Sequence, residues 1–123
     1  CALPISCALP IFQAVRKHGN HHVLDGPGEA DLSARVDFTT VARVARDAGA
    51  EVYGPVSQGE FLLALGIEAR AAKLATGASA GQRQNIETAL GRLIGSGEMG
   101  SLFKVLAIAV PGAPAPAGFE AAP

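Results

Sequence analysis

Apolar positions recur at helical spacing through the middle of this chain, and glycines and prolines mark where each run stops. From Asp37 to Ala48, the residues Phe38, Val41, Val44, Ala45 and Ala48 fall on one face, while Arg43, Arg46 and Asp47 fall on the other. Asp37 stands where a carboxylate can cap the N–H groups of the first turn, and Gly49 where a left-handed residue closes the last one. Ala50 to Tyr53 is a short stretch of β-formers that ends at Gly54-Pro55. Ser57-Gln58-Gly59-Glu60 has the form of a capping box, with Val56 and Phe61 spaced as a hydrophobic staple. It opens a helix that runs to about Leu65 and breaks at Gly66. Ile67, Ala71, Leu74 and Ala75 form the next helical stripe, closed by Gly77. A second box, Ser79 to Gln82, opens a helix whose face carries Ile86, Ala89, Leu90, Leu93 and Ile94.

The flanking segments read differently. Phe12 to His22 shows little apolar periodicity, and Leu24 to Asp31 (LDGPGEAD) is a turn-rich loop. Gly95 to Gly100 reads as a flexible turn. Leu102 to Val110 is nearly continuous apolar sequence bounded by Gly100 and Pro111, the pattern of a buried strand with Lys104 near its entrance. Residues 111–123 form a Pro/Ala-rich tail with nothing to bury, for which disorder is expected. The pattern thus predicts two strands and about four helices. Two strands make no independent sheet, and a buried strand needs neighbours on both sides, so the pattern implies a truncated domain.

Composition narrows the functional classes. With 123 residues there is room for one small domain, and a net charge of -1 gives no electrostatic footprint for nucleic acid or an anionic membrane. No apolar run reaches the roughly 18 residues that a membrane-spanning helix needs. Both cysteines lie in a tandem hexapeptide, CALPIS then CALPIF, which reads as the in-frame translation of a sequencing-adapter end. Residues 1–11 are therefore set outside the fold, leaving residues 12–110 as the folded part. The cysteine-free remainder suits a cytosolic protein. His18, His21 and His22 do not place two ligands on one helical face, so loop histidines are a better reading than a metal site. Gly26-Pro27-Gly28 lacks the Gly-Lys-Ser/Thr that would make it a phosphate loop.

Three stretches taken in order, FQAVRKHGNHHVLDGPGEADLSARVDF, GPVSQGEFLLALGI and GEMGSLFKVLAI, resemble the C-terminal part of the MidA family, class I S-adenosylmethionine-dependent methyltransferases of bacteria and mitochondria. The resemblance implies an α/β fold: the C-terminal part of a Rossmann-like methyltransferase sheet, truncated, with Ala50 to Tyr53 as its sixth strand and Leu102 to Val110 as its seventh, antiparallel one. It implies a parent enzyme that methylates protein arginine, with a cytoplasmic location in bacteria or a mitochondrial one in eukaryotes. The mitochondrial members act in assembly of respiratory complex I, so a complex I subunit is the implied protein partner. The family's glycine-rich cofactor turn, its ribose-binding acid and its Asn-Glu-Phe-Phe-Asp-Ala-Leu-Pro type motif are not found in this sequence. The expectation is therefore that S-adenosylmethionine belongs to the parent protein only and that the isolated chain is inactive.

Ligands in doubly wound folds sit at the carboxyl ends of the strands. On the implied placement, that singles out Gln58 after the sixth strand, and Asp31, Glu29 and Asp37 after the fifth, as substrate-side candidates. A carboxylate there could hold a guanidinium by paired hydrogen bonds, and an amide could orient it without charge. Capping is the better reading for Asp37, as a helix cap, and for Glu60, as a capping-box partner. A different class of reading, a non-catalytic helical module that docks a partner on its apolar faces, also fits the pattern.

Overall fold

The computed structural model describes residues 12–17 and 19–119, so residues 1–11 of the paired hexapeptides, His18 and the last four residues lie outside the described residues. The chain divides into two compact units between Asp37 and Phe38.

The first unit is a three-stranded antiparallel sheet in the order β2-β1-β3, with β1 at Phe12–Arg16, β2 at Gly19–His21 and β3 at Asp31–Ala34. This corrects the expectation of irregular chain from Phe12 to His22. FQAVR has no strict alternation and contains alanine, a poor strand former, so its own pattern does not announce a strand. Pairing on both sides supplies what propensity does not: Ala14 lies opposite His21 on β2 and Leu32 on β3, and is only 3% exposed. The turn out of β1 uses Lys17 at φ 49°, a left-handed conformation at a non-glycine residue.

The second unit follows the sequence pattern closely. Helix α1 is Phe38–Asp47. It closes with the paired bonds of a Schellman motif, Ala50 N–H to the Ala45 carbonyl at 3.0 Å and Gly49 N–H to Arg46 at 2.9 Å. Gly49 sits at φ 83°, which is why glycine stands there. Strand β4, Glu51–Ser57, extends beyond the expected end at Tyr53. It passes through a cis Gly54-Pro55 bond, with a register shift between Tyr53 (opposite Ala107) and Val56 (opposite Val105). A bulge absorbs the proline that a regular ladder would exclude.

Three helices follow: α2 at Gln58–Ala64, α3 at Ile67–Ala75 and α4 at Ala80–Ile94. The short α5, Met99–Leu102, replaces the flexible turn expected between Gly95 and Gly100. Strand β5, Lys104–Ala109, pairs antiparallel with β4 alone, and α1, α2 and α5 pack near this two-stranded sheet.

The expectation of a buried last strand fails. The segment Leu102 to Val110 is not buried: Leu102 is 74%, Ile108 52% and Val110 72% exposed. Leu102 lies in α5 and Val110 follows β5; within β5, which has a pairing strand on one side only, Val105 and Leu106 are half-buried and Ile108 is exposed. Among the described residues no large side chain is fully buried. Residues 111–119, where disorder was expected, make turns closed by Ala113 N–H to Val110 and Phe119 N–H to Pro116. They have something to bury after all. The Phe119 ring lies 5.3 Å from that of Phe61 and 6.3 Å from that of Tyr53, centroid to centroid.

Candidate functional site

The polar residues of the second unit converge where β4 runs into α2. Ser57 takes extended backbone angles and its Oγ accepts the Glu60 N–H at 3.2 Å. Glu60 Oε2 reaches back to accept the Ser57 N–H at 2.8 Å and its hydroxyl at 2.7 Å. The box read from the sequence is complete, and such caps contribute about 1 kcal/mol. These bonds hold the Glu60 carboxyl below its ordinary range, Ser57 first and the more distant Lys104 charge last among the lowering causes.

Gln58, the first residue of α2, is half-buried and committed. Its Nε2 donates to the Leu93 carbonyl at 2.9 Å, in the last turn of α4, and its backbone N–H donates to Phe103 at 3.0 Å. Gly59 beside it permits the close approach that makes this possible: a Cβ there would stand 2.9 Å from the Ile94 carbonyl oxygen and 3.4 Å from that of Gly100. Gly100 in turn lies against the backbone of Ile94, leaving no room for any side chain. The Gln-Gly pair of one motif and the Gly-Glu-Met-Gly run of another are thus two halves of one backbone-to-backbone junction between α2, α5 and the end of α4.

A second polar cluster lies along β4. Glu51 accepts the Gly112 N–H at 3.0 Å through Oε1 and the Tyr53 hydroxyl at 2.8 Å through Oε2. Both bonds hold the Glu51 carboxyl below its ordinary value, the Gly112 bond more strongly, while the bond to Glu51 pushes the Tyr53 phenol up. A general base works best with a pKa near the working pH. The shifts of Glu51 and Tyr53, like that of Glu60, move away from neutrality, which does not favour proton transfer at these groups.

In the first unit, Glu29 forms an ion pair with Arg16 at 2.8 Å and its N–H closes a turn on Gly26 at 3.0 Å. Asp31 opens β3 opposite Val15, next to that pair, so the fold brings these two candidates to the same end of the sheet. The Asp31 carboxylate is exposed and makes no ion pair or side-chain hydrogen bond among the described residues. Asp37 directly precedes α1 and is engaged.

His21 Nε2 lies 3.0 Å from the Asp25 carbonyl, and His22 Nδ1 accepts the Leu24 N–H at 3.3 Å. An accepting Nδ1 carries no proton, so the 3.8 Å approach of the Asp25 carboxylate to it is not an ion pair in that tautomer. Among the described residues no group of three or more His, Cys, Asp or Glu could hold a metal ion, and no helix is long and apolar enough to cross a membrane.

Comparison with known proteins places these motifs. Residues 7–56 match a family model described as "Putative S-adenosyl-L-methionine-dependent methyltransferase". The match begins at the second hexapeptide copy, so Cys7 to Ile11 fall within it. The protein arginine methyltransferase NDUFAF7 of Xenopus tropicalis is 39% identical over 99 residues, 79% of this chain and 23% of that protein. The chain is homologous to the MidA family of methyltransferases. Its homologue in Drosophila melanogaster is 38% identical over 98 residues, again 79% of this chain and 22% of that one. The chain therefore spans about a quarter of the length of these MidA relatives. Two crystal structures from Burkholderia thailandensis share its α/β fold at 31% identity, each over 89% of this chain. One is of an uncharacterized superfamily protein, with a TM-score of 0.79 over 29% of that chain. The other is bound to S-adenosyl-homocysteine, with a TM-score of 0.77 over 28% of its chain.

Sequence reasoning found Ser57 and Glu60 but missed what Gln58 does. Its partner lies 35 residues downstream, and no local spacing signals such a bond. It also missed the Glu51–Tyr53–Gly112 cluster, whose hint was the period-two placement of Glu51 and Tyr53 on one strand face.

Proposed function

We propose that this chain is the C-terminal part of an S-adenosylmethionine-dependent methyltransferase whose substrate is a protein arginine. In this reading, β4 and β5 are the sixth and seventh strands of a larger, mostly parallel sheet, and the cofactor is held by residues upstream of Phe12. The observation that carries it is the agreement of fold and sequence, at 31% identity, with a structure bound to S-adenosyl-homocysteine. The names of the relatives add protein arginine as the methyl acceptor. For a mitochondrial member, a complex I subunit is the protein substrate we favour.

Methyl transfer to nitrogen is an in-line displacement, in which positioning supplies most of the acceleration. The described residues suit that division of labour. Gln58 and Gly59 fix the strand exit against α4, where the substrate edge of such a sheet lies. Asp31 is the carboxylate we assign to the substrate guanidinium, because Glu29 is taken up by Arg16 and Asp37 is engaged. Alone, the chain binds no cofactor and is inactive.

The test is to express the reading frame extended upstream of Phe12 and supply methyl-labelled S-adenosylmethionine with a protein extract of the source. Label on arginine, reduced at least tenfold by Asp31→Asn, is the expected result. Label absent from protein, or confined to lysine or small molecules, contradicts the proposal.

A further inference from the structure

Helices α3 and α4 pack against each other across a short loop, and the trough between them meets the strand-exit site only at Leu93, whose carbonyl accepts from Gln58. One stretch, of about 200 Å³, is floored by Leu74, Ile86, Leu90 and Leu93, with Arg70 in its wall. A second stretch, of about 450 Å³, shares Leu74 and Ile86 and continues over Ala78 to the amides of Gln82 and Asn85. Leu74, at the join, is 53% exposed. No carboxylate lines either stretch.

The charges around the trough are lopsided. The segment from Ile67 to Ile94 carries Arg70, Lys73, Arg83 and Arg92 against Glu68 and Glu87, a net +2 in a chain whose total is -1. Among the described residues none of these four cations is in an ion pair. Arg83 lies beside the polar end without lining it, and its Nε donates to the carbonyl of Ala78, which does, at 3.0 Å. Arg70 stands at the other end, in the stretch that contains Leu90 and Leu93. From Arg83 to Leu90 the axis of α4 rises about 10 Å, two turns of helix.

We infer that the α3–α4 trough docks an amphipathic helix of a partner protein, one that carries carboxylates two turns apart with apolar residues between them. An apolar floor with Arg70 in one stretch and Arg83 beside the other fits such a helix laid into the groove. A membrane surface is the poorer match, because the four cations are spaced along both helices and offset by Glu68 and Glu87, rather than forming the compact cluster of about four to eight Lys/Arg that holds proteins to anionic lipid. The inference does not depend on methyl transfer.

The test is fluorescence anisotropy of the full chain with a labelled helical peptide of four turns, carrying Leu at i+3 and i+4 and Glu at i and i+7. A second peptide has Lys in place of each Glu. The Glu peptide is expected to bind at least tenfold more tightly than the Lys peptide. Arg70→Glu and Arg83→Glu, each verified as folded by circular dichroism, should each erase that preference, and Leu74→Ser should weaken both peptides. Equal binding of the two peptides, an unchanged preference in both Arg variants, or no binding of the Glu peptide at millimolar concentration overturns the inference. So does a concentration-dependent dimer abolished by Leu74→Ser, which would make a second copy the occupant. Leu74-dependent binding to phosphatidylserine vesicles would likewise overturn it in favour of a lipid surface.

Discussion

Replacing Gly59 by alanine sets two physical effects against each other. In an exposed helix, glycine to alanine stabilises by about 1 kcal/mol, because alanine loses less backbone entropy on folding. At Gly59 the added methyl would meet the Ile94 carbonyl oxygen at 2.9 Å and the Gly100 carbonyl oxygen at 3.4 Å. Both are backbone atoms, so no side chain can swing away. Relief requires α2 to move off α4, which also stretches the Gln58–Leu93 hydrogen bond, itself worth about 1 kcal/mol net. Overpacking of this kind costs about 1–3 kcal/mol, and with the bond weakened the steric side wins. Gly59→Ala should therefore destabilise by about 1–2 kcal/mol after the propensity gain is subtracted. Gly91 in α4 supplies the control, since a Cβ there meets nothing within 4 Å. Gly91→Ala should stabilise by about 0.5–1 kcal/mol. Urea denaturation followed by circular dichroism measures both. If the two variants shift the midpoint in the same direction, the close approach of α2 to α4 and α5 is wrong.

Other expectations follow from the same geometry. Ser57→Ala removes the hydroxyl half of the α2 capping box, leaving Glu60 to accept the backbone N–H of residue 57, and should cost about 1 kcal/mol in the same denaturation assay. Phe119→Ala removes the ring packed between Tyr53 and Phe61 and should cost about 1–3 kcal/mol, read as a lowered thermal midpoint. Glu51 and Glu60 have folded-state pKa values below the ordinary 4.5, so their contribution to stability is complete above that value and fades as pH falls through the lowered ones. The thermal midpoint should thus drop on acidification below about pH 4.5. Glu51→Gln with Glu60→Gln should flatten that part of the curve.

The parts of the fold legible in the sequence were those set by local chemistry. Asp37 to Gly49, Ser57 to Gly66 and Ser79 to Ile94 each carry their cap, face and stop within a few residues of one another, and α1, α2 and α4 begin and end close to where those signals stand. Strand β1 was not legible, because Ala14 becomes a strand residue only through partners on both sides. Helix α5 was hidden for a related reason. GSGEMG resembles a flexible linker, yet Gly100 is glycine because the backbone of Ile94 occupies the space. Phe119 was lost in its Pro/Ala surroundings, although a lone aromatic in such a tail has strong reason to find an apolar seat.

The candidate site divides along the same line. Ser57 and Glu60 could be assigned as a cap from spacing alone, whereas the engagement of Gln58 with Leu93 is a tertiary fact. Glu29 and Asp31 were grouped by their place in one loop. Both are exposed, and only the ion pair of Glu29 with Arg16 separates them, leaving Asp31 as the carboxylate without one among the described residues.

The central claim is that this chain is the substrate-side edge of a methyltransferase whose cofactor site lies upstream. Isothermal titration of S-adenosylmethionine into the chain and, in parallel, into the protein extended upstream of Phe12 tests it most directly. No heat of binding with the chain and micromolar binding with the extended protein is the predicted pair of results. Micromolar binding by the chain alone would contradict the account.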